Sequence, residues 1–204
     1  MIVKAITNVL YDSWPMLTIF VVVLASVRIL HLIDNHEKIV FYEEFLNLLF
    51  LVYALILYRL LTNTEGASSG INLMPFREIL RYNLQSELFY YNVIGNIVLF
   101  IPFGFFVSRY VNAKKASHIL IATAIISFTI EVVQYKIGRA FDIDDVLLNV
   151  VGSIIGFLSF IALSAIKNHL PKFLKRDAFY NTICIILTII IIFYLARILG
   201  WVVI

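Results

Sequence analysis

The stretch TAIISFTIEVVQYKIGRAFDIDDVLLNVVGSIIG (Thr123–Gly156) decides how the chain is read. Two long apolar runs flank a short polar turn, Gly138–Asp144, so the pattern predicts an antiparallel helix hairpin. At 100° per residue, Thr123, Ser127, Glu131, Gln134 and Gly138 share one face of the first helix, within an arc of about 80°. Asp142, Asp145, Asn149, Gly152 and Gly156 fall in a similar arc on the second. The short turn makes the two helices neighbours, and Gly152-x3-Gly156 allows close backbone approach. The two polar stripes are therefore expected to face each other, with Arg139 at the turn.

The rest of the chain sets this hairpin in a membrane. The 204 residues are 62% hydrophobic and only 14% charged, with a mean hydropathy of +0.95. Soluble domains carry about 45–50% apolar and about 25% charged residues, so an ordinary soluble domain is excluded. Six spans are predicted: Trp14–Ile33, Glu44–Leu61, Asn92–Tyr110, Ser117–Ile137, Asp145–Ile166 and Ala178–Trp201. Pro102 is expected to kink the third. Between the second and third lie a Gly/Ser/Thr-rich loop, Thr62–Gly70, and a segment Phe76–Tyr91. In the latter, Phe76, Ile79, Leu80, Leu84, Leu88 and Tyr91 recur at helical spacing, with Arg77, Glu78, Arg81, Gln85 and Glu87 on the other face. This predicts an amphipathic helix in the membrane interface. The fold class is an all-α polytopic membrane protein with about six transmembrane helices plus one interfacial amphipathic helix.

The net charge of +3 is too small to suggest nucleic acid as a partner. The basic residues read instead as topology signals. Arg109, Lys114 and Lys115 follow the third span, and Lys167, Lys172, Lys175 and Arg176 follow the fifth. Placing these clusters in the cytoplasm puts both termini, the Thr62–Tyr91 loop and the Gly138–Asp144 loop outside. The single cysteine, Cys184, excludes an intramolecular disulfide and a Cys-based metal or redox site, and reads as lipid-facing or packing filler.

Glu131 is the carboxylate that stands deep in a predicted span, roughly 10 Å from its outer end. A charge at the bilayer centre costs about 2.5–3.5 kcal/mol even on lenient scales. Glu131, Asp142, Asp144 and Asp145 face one arginine, Arg139. A carboxylate must be protonated or hydrated, or a cation or basic ligand group must visit the site. Asp142 or Asp144 is placed to cap the fifth span. Asp142-x-Asp144-Asp145 is a weak pattern for a metal, because Asp144 points away from the other two on a helix. His31, His36, His118 and His169 lie near span ends, away from the acids, and no serine–histidine pair suggests a triad. No residue pattern calls for a cofactor or metal. The competing structural reading is a Glu–Arg–Asp–Asn network that only locks the hairpin.

Three segments carry a family resemblance. Asn72-Leu73-Met74-Pro75-Phe76 resembles the NLxPF motif of the VanZ-like family. Gly95-Asn96-x3-Phe100-x-Pro102-Phe103-Gly104 is similar to its GNxxLFxPFG segment. Glu131-x2-Gln134-x4-Arg139-x2-Asp142-x2-Asp145-x3-Asn149-x2-Gly152-x3-Gly156 is similar to its E-x-x-Q…GR-x-x-D-x-x-D…N-x-x-G stretch. The resemblance implies a domain over residues 44-166, with an added helix and loop over 1-43 and, over 167-204, the basic loop that the charge pattern places in the cytoplasm and a last helix. It also implies a multi-pass protein of the bacterial cell membrane, from a family associated with reduced susceptibility to glycopeptide antibiotics, notably teicoplanin. The resemblance does not carry a known reaction.

The expected site is therefore an outward polar cluster of Asn96, Glu131, Gln134, Arg139, Asp142, Asp145 and Asn149. The motif loop contributes Asn72, Pro75, Phe76 and Arg77. Gly95, Pro102, Gly104, Gly152 and Gly156 are assigned to helix packing. Membrane lipids, a lipid-linked cell-wall precursor or a lipoglycopeptide would be the partners, with Arg139 and Arg77 on phosphate. Three other readings stay open: a small transporter or lipid flippase with Glu131 as its protonation site, where a homo-oligomer would complete a path; an embedded enzyme acting on a lipid-linked phosphate or glycan, for which no clear nucleophile stands in the sequence; and an accessory subunit whose polar network only holds the helices.

Overall fold

A computed structural model describes residues 2–62 and 70–198. Most of the Thr62–Gly70 loop, and the end of the sixth predicted span towards Trp201, lie outside the described residues. Seven helices are present among them: α1 (Ile2–Asp34), α2 (Phe41–Leu61), α3 (Arg77–Arg81), α4 (Glu87–Tyr110), α5 (Ala116–Lys136), α6 (Ile143–His169) and α7 (Asp177–Ile198). All but α3 are long and apolar enough to cross a membrane. The protein is an all-α, multi-pass membrane protein.

Contacts divide the chain into two compact units, one built on Leu57–Ala165 and the other on Ile6–Ile56 with the chain from Ile166 onward. In the first unit, α4, α5 and α6 carry the packed interior. Their apolar windows are 28%, 22% and 33% buried, against 6% for each of α1, α2 and α7. Exposed Ile, Leu, Val and Phe side chains on the remaining faces suit contact with lipid. In the second unit, Arg28 forms a bidentate pair with Glu44, and the Tyr42 N–H donates to the Asn181 side chain. Cys184 is a buried packing residue there.

Glycines set how closely α4 and α6 approach. A Cβ at Gly152 would stand 2.1 Å from the Ile97 carbonyl oxygen, and one at Gly156 2.1 Å from that of Ile101. From the other side, a Cβ at Gly104 would stand 2.1 Å from the Ser153 oxygen. The Gly152-x3-Gly156 approach is therefore to the third span, whereas the sequence pointed to the fourth. Helical period fixes the face on which two glycines lie and leaves the partner open. Gly95 is not part of this contact: its added Cβ would meet only the Tyr90 oxygen, at an ordinary 3.7 Å. α4 runs on through Pro102 and contains a π-helical turn at Tyr90–Ile94.

The single amphipathic helix expected over Phe76–Tyr91 is broken in two. α3 stops at Arg81, and α4 begins at Glu87. Local side chains compete with the helix between them. The Asn83 carboxamide oxygen accepts from the Gln85 N–H, and Ser86 caps α4 by accepting from the Phe89 N–H. Leu73, Met74, Phe76, Leu80 and Leu84 are all well exposed. An exposed apolar segment remains, but only five of its residues are a free-standing helix.

Candidate functional site

The site forms where the C-termini of α2 and α5 meet the N-termini of α4 and α6. α5 ends in a Schellman turn, with Gly138 at φ 92° and the Arg139 N–H donating to the Gln134 oxygen at 2.9 Å. This left-handed turn sends the chain back as β2 (Phe141–Asp142). It pairs in parallel with β1 (Ile71–Asn72), in the register Ile71 to Phe141 and Asn72 to Asp142. Two residues per strand are too few to show alternation, so no sequence signal announced the pairing.

The ladder pins the motif loop to the hairpin. The Asn72 amide donates to Asp142 Oδ1 at 2.9 Å, and the Asn72 Oδ1 accepts from the Met74 N–H. Asp142 Oδ1 also accepts from the Asp144 N–H at 2.9 Å, which caps α6. Burial raises the Asp142 carboxyl above its ordinary value; the hydrogen bonds from the Asp144 N–H and Asn72 only partly offset this.

Asp144 is the main residue that sequence reasoning left out of the site. It points away from Asp142 and Asp145, as helical geometry requires, and into the motif loop. Its carboxylate accepts from the Phe76, Glu78 and Ile79 N–H groups at 2.5, 2.8 and 3.2 Å. It is 1% exposed. Three donors around one carboxylate match the positive end of α3 and the left-handed turn at Phe76, φ 66°. Asp144 thus caps the helix before the third span, while Asp142 caps its own. This divides the acidic triplet and takes Asp144 out of any shared metal set. Pro75 sits in the same turn, and Arg77 is exposed at the start of α3.

The remaining groups lie deeper. Glu131 is 1% exposed, and its Oε2 accepts from the Asp142 N–H at 2.9 Å. The Asn96 amide donates to Asp145 Oδ1 at 2.5 Å, tying α4 to α6. Gln134 Nε2 and Arg139 Nη1 both donate to the Leu61 oxygen, at 2.8 and 3.1 Å. That oxygen is one of the carbonyls α2 leaves unpaired at its C-terminus, where a cation is favourable. The field of Arg139 reaches both Glu131 and Asp145. Asn149 lies one turn further in, and its Nδ2 donates to Ser127 Oγ at 2.8 Å. Ser127 was read as part of a stripe only; its bond to Asn149 joins α5 to α6.

The structure brings together Asn72, Glu131, Asp142 and Asp144 in one hydrogen-bonded chain. Two further groups are bonded separately: Asn96 to Asp145, and Gln134 with Arg139 to the Leu61 oxygen. No curated protein and no solved structure matches the chain. The family model described as VanZ/LLP1 matches residues 45–165, more than half of the chain, and takes in every element of this site, so the protein belongs to the VanZ/LLP1 family.

Proposed function

We propose that this protein acts in a bacterial cell envelope, with the polar cluster facing outward and binding the polar head of an envelope component at the outer leaflet. Residues 44-166 would be the functional domain, with 1-43 and 167-204 as additions to it. The charge balance of the cluster carries the reading. With Asp144 committed to three N–H groups, Arg139 is the cation whose field reaches both Glu131 and Asp145, and Asp142 adds a third carboxyl beside them. A ligand with a basic group would be favoured there, and its phosphate would meet Arg77 and Arg139 at the rim. Lipid-linked cell-wall precursors have both a polar head and a phosphate. The exposed Leu73, Met74, Phe76 and Leu80 give the neighbouring loop an apolar edge for the lipid surface. Family membership adds the physiological reading: altered display of, or access to, the target of teicoplanin-like glycopeptides, and so reduced susceptibility.

The test is teicoplanin susceptibility of a sensitive bacterium expressing wild type, Glu131→Gln or Arg139→Ala, with membrane abundance measured alongside. Wild type is expected to lower susceptibility, and the variants to lose the effect at equal abundance. Loss of the variants from the membrane would instead assign the cluster to architecture. A wild type without effect would refute the resistance reading.

A further inference from the structure

α5 and α6 face each other in a register that can be read from two contacts. Asn149 bonds to Ser127, and two turns further in Phe157 packs with Ile119 in a buried cluster with Ala113. The same antiparallel register sets Glu131 level with Asp145 and Thr123 level with Ser153, whose backbone lies against Gly104 of α4. Three polar rungs therefore follow one another inward, Glu131/Asp145, Ser127/Asn149 and Thr123/Ser153, over about 12 Å of helix. The fourth rung, Ile119/Phe157, is apolar. Every side chain in the two inner polar rungs is at most 2% exposed.

Two atoms in this ladder have no protein partner among the described residues: Asn149 Oδ1 and Ser153 Oγ. A buried polar atom left unpaired is costly, and in a bilayer the neighbourhood offers nothing else. Ser153 also departs from its peers. Ser108, Thr123 and Ser159 each donate to the carbonyl four residues back, and Ser153 does not. The needs of the two atoms are complementary. A water molecule can accept from the Ser153 hydroxyl and donate to Asn149 Oδ1. Its second proton can go to Thr123 Oγ1, whose own proton is held by the Ile119 oxygen. Three such bonds are the usual complement of a buried water.

We propose that the ladder is a hydrated half-channel for protons, with its mouth at Glu131 and Asp145 and its gate at Ile119 and Phe157. The mouth is bordered by Arg139 on the turn and by Asp142 and Asn96 from β2 and α4. The gate lies one turn inside the start of α5 at Ala116, so the polar rungs and the gate together cover most of that helix. An apolar constriction stops a water file by dewetting, and so prevents proton leak in the resting protein.

The full-length protein in phosphatidylethanolamine/phosphatidylglycerol vesicles loaded with a pH-sensitive dye tests this. Wild type is expected to be proton-tight. Ile119→Ala with Phe157→Ala is expected to leak. Adding Ser153→Ala or Asn149→Leu to that pair should cut the leak about tenfold, the equivalent of roughly one lost hydrogen bond. A folded, monodisperse gate variant that stays tight, or a leak indifferent to Ser153 and Asn149, overturns the proposal. Hydroxyl-radical footprinting of the wild type tests the water directly and needs no variant. Phe157, 8% exposed with its outer edge towards the innermost water, should be hydroxylated faster than Phe106, 9% exposed on α4, the reverse of their order of exposure. Equal rates would overturn the proposal.

Discussion

Asp144→Ala tests whether a buried carboxylate holds the motif loop. The substitution removes the acceptor for three N–H groups, those of Phe76, Glu78 and Ile79. A hydrogen bond to a charged group is worth about 1.5–3 kcal/mol net, so three would sum to roughly 4–9 kcal/mol. Two effects reduce that. Phe76 is 57% exposed, so water can reach part of the loop once it opens. The folded state is also relieved of burying an anion at a site 1% exposed. A net loss of about 3 kcal/mol is the working value, equivalent to about a hundredfold in the closed-to-open equilibrium of the loop. Asp144→Asn keeps one acceptor oxygen and should lose about half as much. The assay is amide hydrogen exchange in lipid nanodiscs. The Phe76, Glu78 and Ile79 amides should lose about two orders of magnitude of protection in the alanine variant, while amides at the centre of α6 keep theirs. Unchanged exchange at these three amides would refute the anchoring argument. Equal loss throughout α6 would refute the claim that the effect is local.

Gly152→Ala should destabilise the protein by about 1–3 kcal/mol by thermal unfolding in detergent, because its Cβ would meet the Ile97 oxygen at 2.1 Å. Gly95→Ala is the internal control, since its nearest atom is at 3.7 Å; it should be neutral or gain up to about 1 kcal/mol of helix propensity. Asp142→Asn should change the pH dependence of unfolding in a defined direction. The folded-state value of Asp142 is raised, so its contribution is complete below the ordinary aspartate value of 3.8 and is lost as pH rises through the folded value. Wild type should therefore lose stability relative to Asp142→Asn as pH rises through that window, and a difference that runs the other way would refute the burial argument. Asn72→Ala removes one of the two donors to Asp142 Oδ1 and should cost about 1–2 kcal/mol, read by unfolding and by faster exchange at Met74.

The six spans were legible because runs of about 20 apolar residues leave no alternative in a bilayer. The buried face of α5 was legible too: Thr123, Ser127, Glu131 and Gln134 follow the helical period, and all four are buried. What the period could not give was the partner of each face. Gly152 and Gly156 were placed against α5 and lie against α4, because spacing within one helix holds no information about which neighbour it meets. Asp144 was passed over for the same reason. Its direction was inferred correctly, but the loop it reaches is 65 to 68 residues away in sequence. The start of the third span at Glu87 depended on Ser86 as a cap within a segment whose apolar spacing suggested an unbroken helix.

The four acids at this end of the protein do different work, and the difference lies in their acceptor geometry. Asp144 has both oxygens engaged by backbone donors of another segment. Asp142 serves two donors through one oxygen, one from the loop and one from its own helix. Both therefore fasten the motif loop to the hairpin. Glu131 accepts one backbone donor and Asp145 one side-chain amide, and these two also share the field of Arg139. They stand at the head of a polar ladder whose inner rungs hold two oxygens with no partner among the described residues. A network built only to lock two helices would gain most from closed pairs, since each unpaired buried atom costs stability. Here the outer pair of acids is closed and the inner pair opens onto unpaired polar atoms. That asymmetry is the ground on which we propose Glu131 and Asp145 as the working pair, with Asp142 and Asp144 as the scaffold that holds them in place.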